Sequence, residues 1–178
     1  AAGEQRTNAL YQVFDDFDAN EQWPAGKPPI YHVIMTPAER AEFEALHGSN
    51  SRTSNAQFNA TFIAITGSET AVRYNAGVRN RGSGSRASYP PNNRITFPSD
   101  RPWQDITRIN INTVAPLNQI AGSTLYRLAG LPTSDVHAVQ MFSNGIDLKN
   151  GRFYVHAETL DSDFAENHFP LDDGGNVY

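Results

Sequence analysis

With 178 residues, 39% of them hydrophobic and 11% aromatic, the chain can bury the core of one globular domain and is too short to presume two. A formal net charge of -5 argues against a dedicated nucleic-acid binder, whose footprint is a basic surface, and no apolar run nears the roughly 20 residues that span a bilayer. The lack of cysteine removes disulfides, thiolate nucleophiles and cysteine-ligated metal sites.

Residues 1–29 are polar and acidic and end in Trp23-Pro24-Ala25-Gly26-Lys27-Pro28-Pro29, which reads as an arm leading into a single domain over 30–178. Its start, Ala1-Ala2-Gly3-Glu4, has neither the basic residues nor the apolar stretch of a secretion signal. Asp16-Phe17-Asp18-Ala19-Asn20 opens like a calcium loop, but Glu21 and Lys27 stand where that loop needs Gly and Glu. Ile30 to Met35 predicts a strand. Thr36-Pro37-Ala38-Glu39 then combines a Thr cap, a first-turn Pro and a Glu three residues after the cap, so a helix runs to Leu46 and stops at Gly48.

Residues 48–56 are Ser, Asn and Gly rich and read as loop. Gln57 to Thr66 and Glu69 to Val78 predict two strands joined at Gly67-Ser68, followed by the compact basic loop Arg79-Asn80-Arg81-Gly82-Ser83-Gly84-Ser85-Arg86. Asn93 to Phe97 is a further strand. Ile106, Ile109 and Ile111 mark another, with Arg108, Asn110 and Asn112 on its polar face. Between Pro116 and Ala129 the spacing places Leu117, Ile120, Ala121, Thr124, Leu125 and Leu128 on one side of a helix, closed by Gly130 and Pro132. Val136 to Phe142 and Arg152 to Glu158 form a hairpin around Asn144-Gly145 and Asn150-Gly151, and a last helix covers Ser162 to Phe169. The order predicts an α+β domain with a mainly antiparallel sheet and a few helices.

Three patterns bear on chemistry. Gly77, Gly82 and Gly84 free the backbone to turn N–H groups toward an anion, while Arg79, Arg81 and Arg86 add bidentate donors in an otherwise acidic chain. The plain alternative is an exposed hairpin connection with solvated arginines. If the late hairpin pairs residues whose numbers sum to 293, His137 faces His156, with Glu158 and Asp135 close by on the same face. Such a set suits zinc, and a His pair on a sheet is the commoner outcome. Asp161 or Ser162 caps the last helix. No Gly-x-Ser-x-Gly elbow is present, and Ser, His and Asp are too scattered for a triad.

The stretch Gly77-Val78-Arg79-Asn80-Arg81-Gly82-Ser83-Gly84-Ser85-Arg86, the helix end Leu125-Tyr126-Arg127-Leu128-Ala129-Gly130-Leu131-Pro132 and the tail share an order of motifs. The tail motif comprises Asn144-Gly145, Gly151, Tyr154, Glu158, Asp161, Asp163-Phe164, Phe169 and Gly175-Asn176-Val177-Tyr178. Together they resemble the spore-coat CotH family of atypical kinases, from about Ile30 to the last residue. The resemblance implies a protein-kinase N-lobe that binds ATP with Mg2+. The nucleotide-binding set it implies is Arg79, Arg81, Gly82, Ser83, Gly84, Ser85, Arg86, Arg94 and Glu158, the last at a hinge. It further implies phosphoryl transfer to Ser-rich protein substrates and a secreted, cell-surface or spore-surface location.

Arg94 replaces the family's Lys, and Gln119 stands where an acidic residue is usual, so the Lys–Glu pair of ordinary kinases is not reproduced. The resemblance places the catalytic and metal-binding Asp residues in a second lobe beyond residue 178, so this segment is expected to be inactive alone. The alternative expectation is a non-catalytic surface module that binds or assembles with a protein or glycan partner.

Overall fold

The computed structural model describes residues 26–46, 54–67, 69–172 and 174. Most of the acidic arm, the calcium-like stretch, part of the 48–56 loop and the Gly175–Tyr178 motif lie outside them. Seven strands run in the order β1 (Ile30–Ile34), β2 (Phe58–Thr66), β3 (Glu69–Asn80), β4 (Asn93–Thr96), β5 (Arg108–Asn112), β6 (Val136–Ser143) and β7 (Tyr154–Glu158). The helices are α1 (Pro37–Ala45), α2 (Pro116–Leu128) and α3 (Ser162–His168).

The expected kinase-like N-lobe is overturned: the sheet closes into a mixed barrel of order β1-β2-β3-β4-β5-β7-β6. The closing strand is β1. It pairs antiparallel with β2, Ile30 facing Ile65, and parallel with β6, Ile30 facing Gln140. With both flanks of β1 paired no edge stays open, which removes a site for unwanted strand addition. Asn144, in the turn after β6, pins the seam: its Oδ1 accepts from the Met35 N–H (3.1 Å) and its Nδ2 donates to the Met35 carbonyl (2.8 Å).

Alternation fills the interior. Val33, Phe62, Val78, Ile95, Ile109 and Val139 are wholly buried, and each such side chain contributes about 1.5–3 kcal/mol through loss of apolar contact with water. The predicted caps form. Thr36 Oγ1 accepts from the Glu39 N–H while the Glu39 carboxylate accepts from the Thr36 N–H, and Asp161 accepts from the Asp163 N–H at the start of α3. Behind α2, Gly130 adopts φ +74°. The Gly130 and Leu131 N–H groups return to the carbonyls of Arg127 and Tyr126, a Schellman closure.

The seating of α2 departs from what its pattern suggests. An amphipathic helix ordinarily lays its apolar stripe on its own core. Here only Ser123 is buried, its hydroxyl donating to the Ser134 carbonyl (2.7 Å), and Arg127 pairs with Asp135 at 3.3 Å. The leucines face away from the barrel and are exposed.

Candidate functional site

β3 continues two residues past the predicted end, so Arg79 and Asn80 belong to the strand and the loop proper begins at Arg81. Within β3, Val78 and Asn80 point inward and Arg79 outward. Across β4 and β5 the register sets Arg79 opposite Arg94 and Arg94 opposite Asn110, so both guanidiniums share the outer face of the barrel. Arg81 follows one step along and donates to Asn112 Oδ1; Arg94 donates to Asn110 Oδ1 (3.2 Å) and Arg79 to Asn55 Oδ1 (3.3 Å).

Each of these three arginines is therefore aimed by a neutral amide oxygen. Among the described residues, no carboxylate lies within 4.0 Å of Arg79, Arg81 or Arg94. Burial first, and then neighbouring guanidiniums, pull all three below the ordinary arginine range, with Asp161 opposing the fall in part at Arg94. Arginine still stays charged at neutral pH, so the face holds crowded positive charge that a bound anion would relieve.

Gln119, at the helix position where the resemblance expects an acid, accepts from Asn112 Nδ2 (2.7 Å). A neutral relay, Arg81 to Asn112 to Gln119, thus ties the basic face to the first turns of α2. An acid in place of Gln119 would offset the charge that this relay leaves free. Arg108, next outward-facing residue before Asn110, differs from the other three: it pairs with Asp161 at 3.3 Å.

The rest of the loop acts as its own clamp. Arg86 Nε donates to the Gly82 carbonyl (2.6 Å), Nη1 to the Ser54 carbonyl (2.7 Å) and Nη2 to Asn55 Oδ1 (2.7 Å). Gly82 has φ +101°, and a Cβ there would stand 2.2 Å from Ser85 Oγ, so only glycine fits. Ser85 Oγ accepts from Asn92 Nδ2 (2.9 Å), and Asn80 Nδ2 donates to the Arg86 carbonyl (3.2 Å). Ser83 and Gly84 form the exposed tip ahead of a short 3-10 turn, Gly84–Ala87.

The N–H groups of Arg81, Arg86 and Ser88 are taken by the carbonyls of Asn92, Ser83 and Ser85. Arg86→Ala removes charge-assisted bonds from the clamp and should cost about 1–3 kcal/mol. Hydrogen exchange should then rise across 82–88 while β4 and β5 keep their protection; an unchanged loop would show that Arg86 does not hold it.

Glu158 lies elsewhere, at the end of β7. Its Oε2 accepts from the Asp135 N–H (3.1 Å) and meets His168 Nε2 at 2.8 Å, and its Oε1 accepts from Asn167 Nδ2 (3.2 Å). Asp135, Glu158 and His168 bring one ligand atom each within 4.8 Å of one another. The Glu158 oxygens already have donors and Asp135 is paired with Arg127, so the group holds α3 against the barrel. The His137–His156 register is as expected from a sum of 293. Those rings do not turn to Glu158: they flank the Tyr31 hydroxyl, which lies 2.8 Å from His156 Nδ1 and 3.4 Å from His137 Nε2.

Sequence reasoning passed over Asn55 and saw Asn110 and Asn112 only as a polar strand face, because their role depends on which strand lies alongside. No helix among the described residues is long and apolar enough to cross a membrane. The chain matches no known family model and no curated protein sequence.

Proposed function

We propose that the chain is a non-catalytic binding module whose outer barrel face, built on Arg79, Arg81 and Arg94, takes a phosphate-type oxyanion. The observation that carries this reading is three neighbouring guanidiniums, aimed by amide oxygens and, among the described residues, with no carboxylate within 4.0 Å. Partly buried like charges without compensation are costly, and proteins keep such arrangements where a ligand supplies the opposite charge. Planar donor forks match phosphate oxygens bidentately, which favours arginine over lysine at such a face. Glu158 takes no part in this reading, and Arg86 supports it by shaping the loop. ATP is the phosphate carrier that the motif resemblance suggests, and it serves as the first organic probe.

The test is thermal unfolding and calorimetry with inorganic phosphate, ATP, and ATP with Mg2+. An anion at a hundredfold excess over its dissociation constant should stabilise the fold by about 2.7 kcal/mol. Arg94→Gln should weaken binding at least roughly tenfold, the loss of one charge-assisted contact. Without any anion, the same substitution should leave stability unchanged or raised, because it removes repulsion. Absence of stabilisation at millimolar anion, or a destabilised anion-free Arg94→Gln, would sink the reading. Binding of phosphate and ATP alike locates the recognition in the phosphate group, whereas binding of ATP alone shows that the base contributes too.

A further inference from the structure

Arg108 is the fourth guanidinium of the outer face, and one carboxylate separates it from the other three. It faces Thr96 of β4 and stands two positions before Asn110, the residue opposite Arg94. Arg94 and Arg108 are therefore diagonal neighbours on one face, about 7–8 Å apart in the backbone and within reach of long side chains. Asp161, the cap of α3, brings its Oδ2 to 3.3 Å from Arg108 Nη1. The contact is an ion pair and not a hydrogen bond, because the buried Asp161 Oδ2 accepts from no donor among the described residues. The Arg108 charge is thus offset while its N–H donors stay uncommitted. The influence reaches the site: after burial, Arg108 is the next cause that lowers the Arg94 pKa, and Asp161 opposes it. At the other end Arg81 is tied through Asn112 to Gln119, so the start of α2 borders the face there.

We propose that Asp161 is the specificity-determining residue of the anion face: it closes the Arg108 side and confines recognition to a single phosphate group, as in orthophosphate or a phosphate monoester. The inference rests on the reading of Arg79, Arg81 and Arg94 as an oxyanion site. Its physical basis is the distribution of charge. A compact phosphate needs only the three guanidiniums that have no carboxylate within 4.0 Å among the described residues. An extended polyphosphate has to run past them along the sheet. On the β5 side its next oxygens would meet Arg108 already offset and the Asp161 carboxylate beside it. Like charges brought together in a partly buried setting repel, and salt screens them less than in open solvent. Without the Asp161 charge, the free donors of Arg108 would extend the face by one more bidentate fork.

Calorimetric titration of the whole chain with orthophosphate and with tripolyphosphate, at fixed ionic strength and without divalent cation, tests the proposal. The unaltered protein should bind the two with affinities within about threefold of each other, the scale of one exposed charge contact. Asp161→Asn should bind tripolyphosphate roughly tenfold tighter, the gain of one charge-assisted contact, with orthophosphate changed by less than about threefold. Asn and Ser cap helices about as well as Asp, so α3 is retained and Asp161→Ser should behave alike. Adding Arg108→Gln to Asp161→Asn should cancel the gain, which a general loss of repulsion would not predict. If the unaltered protein binds neither anion, the oxyanion reading falls and this inference with it. If it binds orthophosphate but Asp161→Asn gives no gain for tripolyphosphate, or if it already prefers tripolyphosphate tenfold, the inference alone is overturned.

Discussion

Trp103→Ala is expected to remove most of the stability of this domain, by about 3–5 kcal/mol. The indole is 3% exposed and comes from the connection between β4 and β5, where Trp103 and Ile106 exchange backbone bonds around Gln104 and Asp105, both at positive φ. It enters the barrel against Tyr31, Phe62 and Phe97, with ring centroids 5.4, 5.2 and 5.9 Å away, and stacks on His156. No neighbouring strand can collapse into the space, because the barrel's hydrogen bonds fix its circumference. The loss is a large share of the roughly 5–15 kcal/mol that holds a domain of this kind. Urea unfolding should show a lower midpoint at an unchanged slope, and Trp103→Phe should recover most of the difference. A midpoint shift worth less than about 1 kcal/mol would mean that the ring is not part of the core.

Acid should unfold the protein over a range set by His156. This imidazole is 5% exposed; burial first, and then neighbouring His137, lower its pKa to about 3 from an ordinary 6.5. Between those values the unfolded chain binds a proton that the native state excludes, so stability falls as pH drops from about 6.5 toward 3. Protonated His156 would have to keep its charge beside Tyr31, Trp103 and His137, and among the described residues no carboxylate is hydrogen-bonded to it. At pH 4 this site alone should cost about 3 kcal/mol. Burial lowers His32 and His137 as well, so the wild-type slope is steeper than one group gives. Comparing unfolding free energies of wild type and His156→Gln from pH 7 to pH 4 isolates the site. The variant should be less stable at pH 7 but lose about one proton's worth of slope, and an identical pH profile would remove His156 as the cause.

Much of the local structure was legible because its causes are local. The Thr36–Glu39 box, the Asp161 cap, the Gly130 stop and the two Asn-Gly pairs each act within a few residues, and all appear where the pattern puts them. The facing of His137 and His156 follows from turn spacing in one hairpin. Barrel closure was not legible. The parallel contact of β1 with β6 joins residues over a hundred positions apart, and neither strand carries a mark that names its partner. The direction in which the α2 stripe faces was also hidden, since periodicity shows that a helix has two sides and not which one meets the barrel.

For the candidate site, composition singled out the arginines of the Gly/Arg loop, the motif resemblance implied Arg94, and alternation placed Arg108, Asn110 and Asn112 on one strand face. Folding then sorted equals into different roles. Arg79, Arg81 and Arg94 became a shared basic face, Arg86 a clamp, Arg108 an ion-pair partner, and Glu158 a buried anchor for α3. Short-range sterics and capping are written residue by residue, so the chain determined its own elements and turns. Which strands lie side by side, and hence which charges meet or stay uncompensated, is a property of long-range pairing, and only the closed barrel decided it.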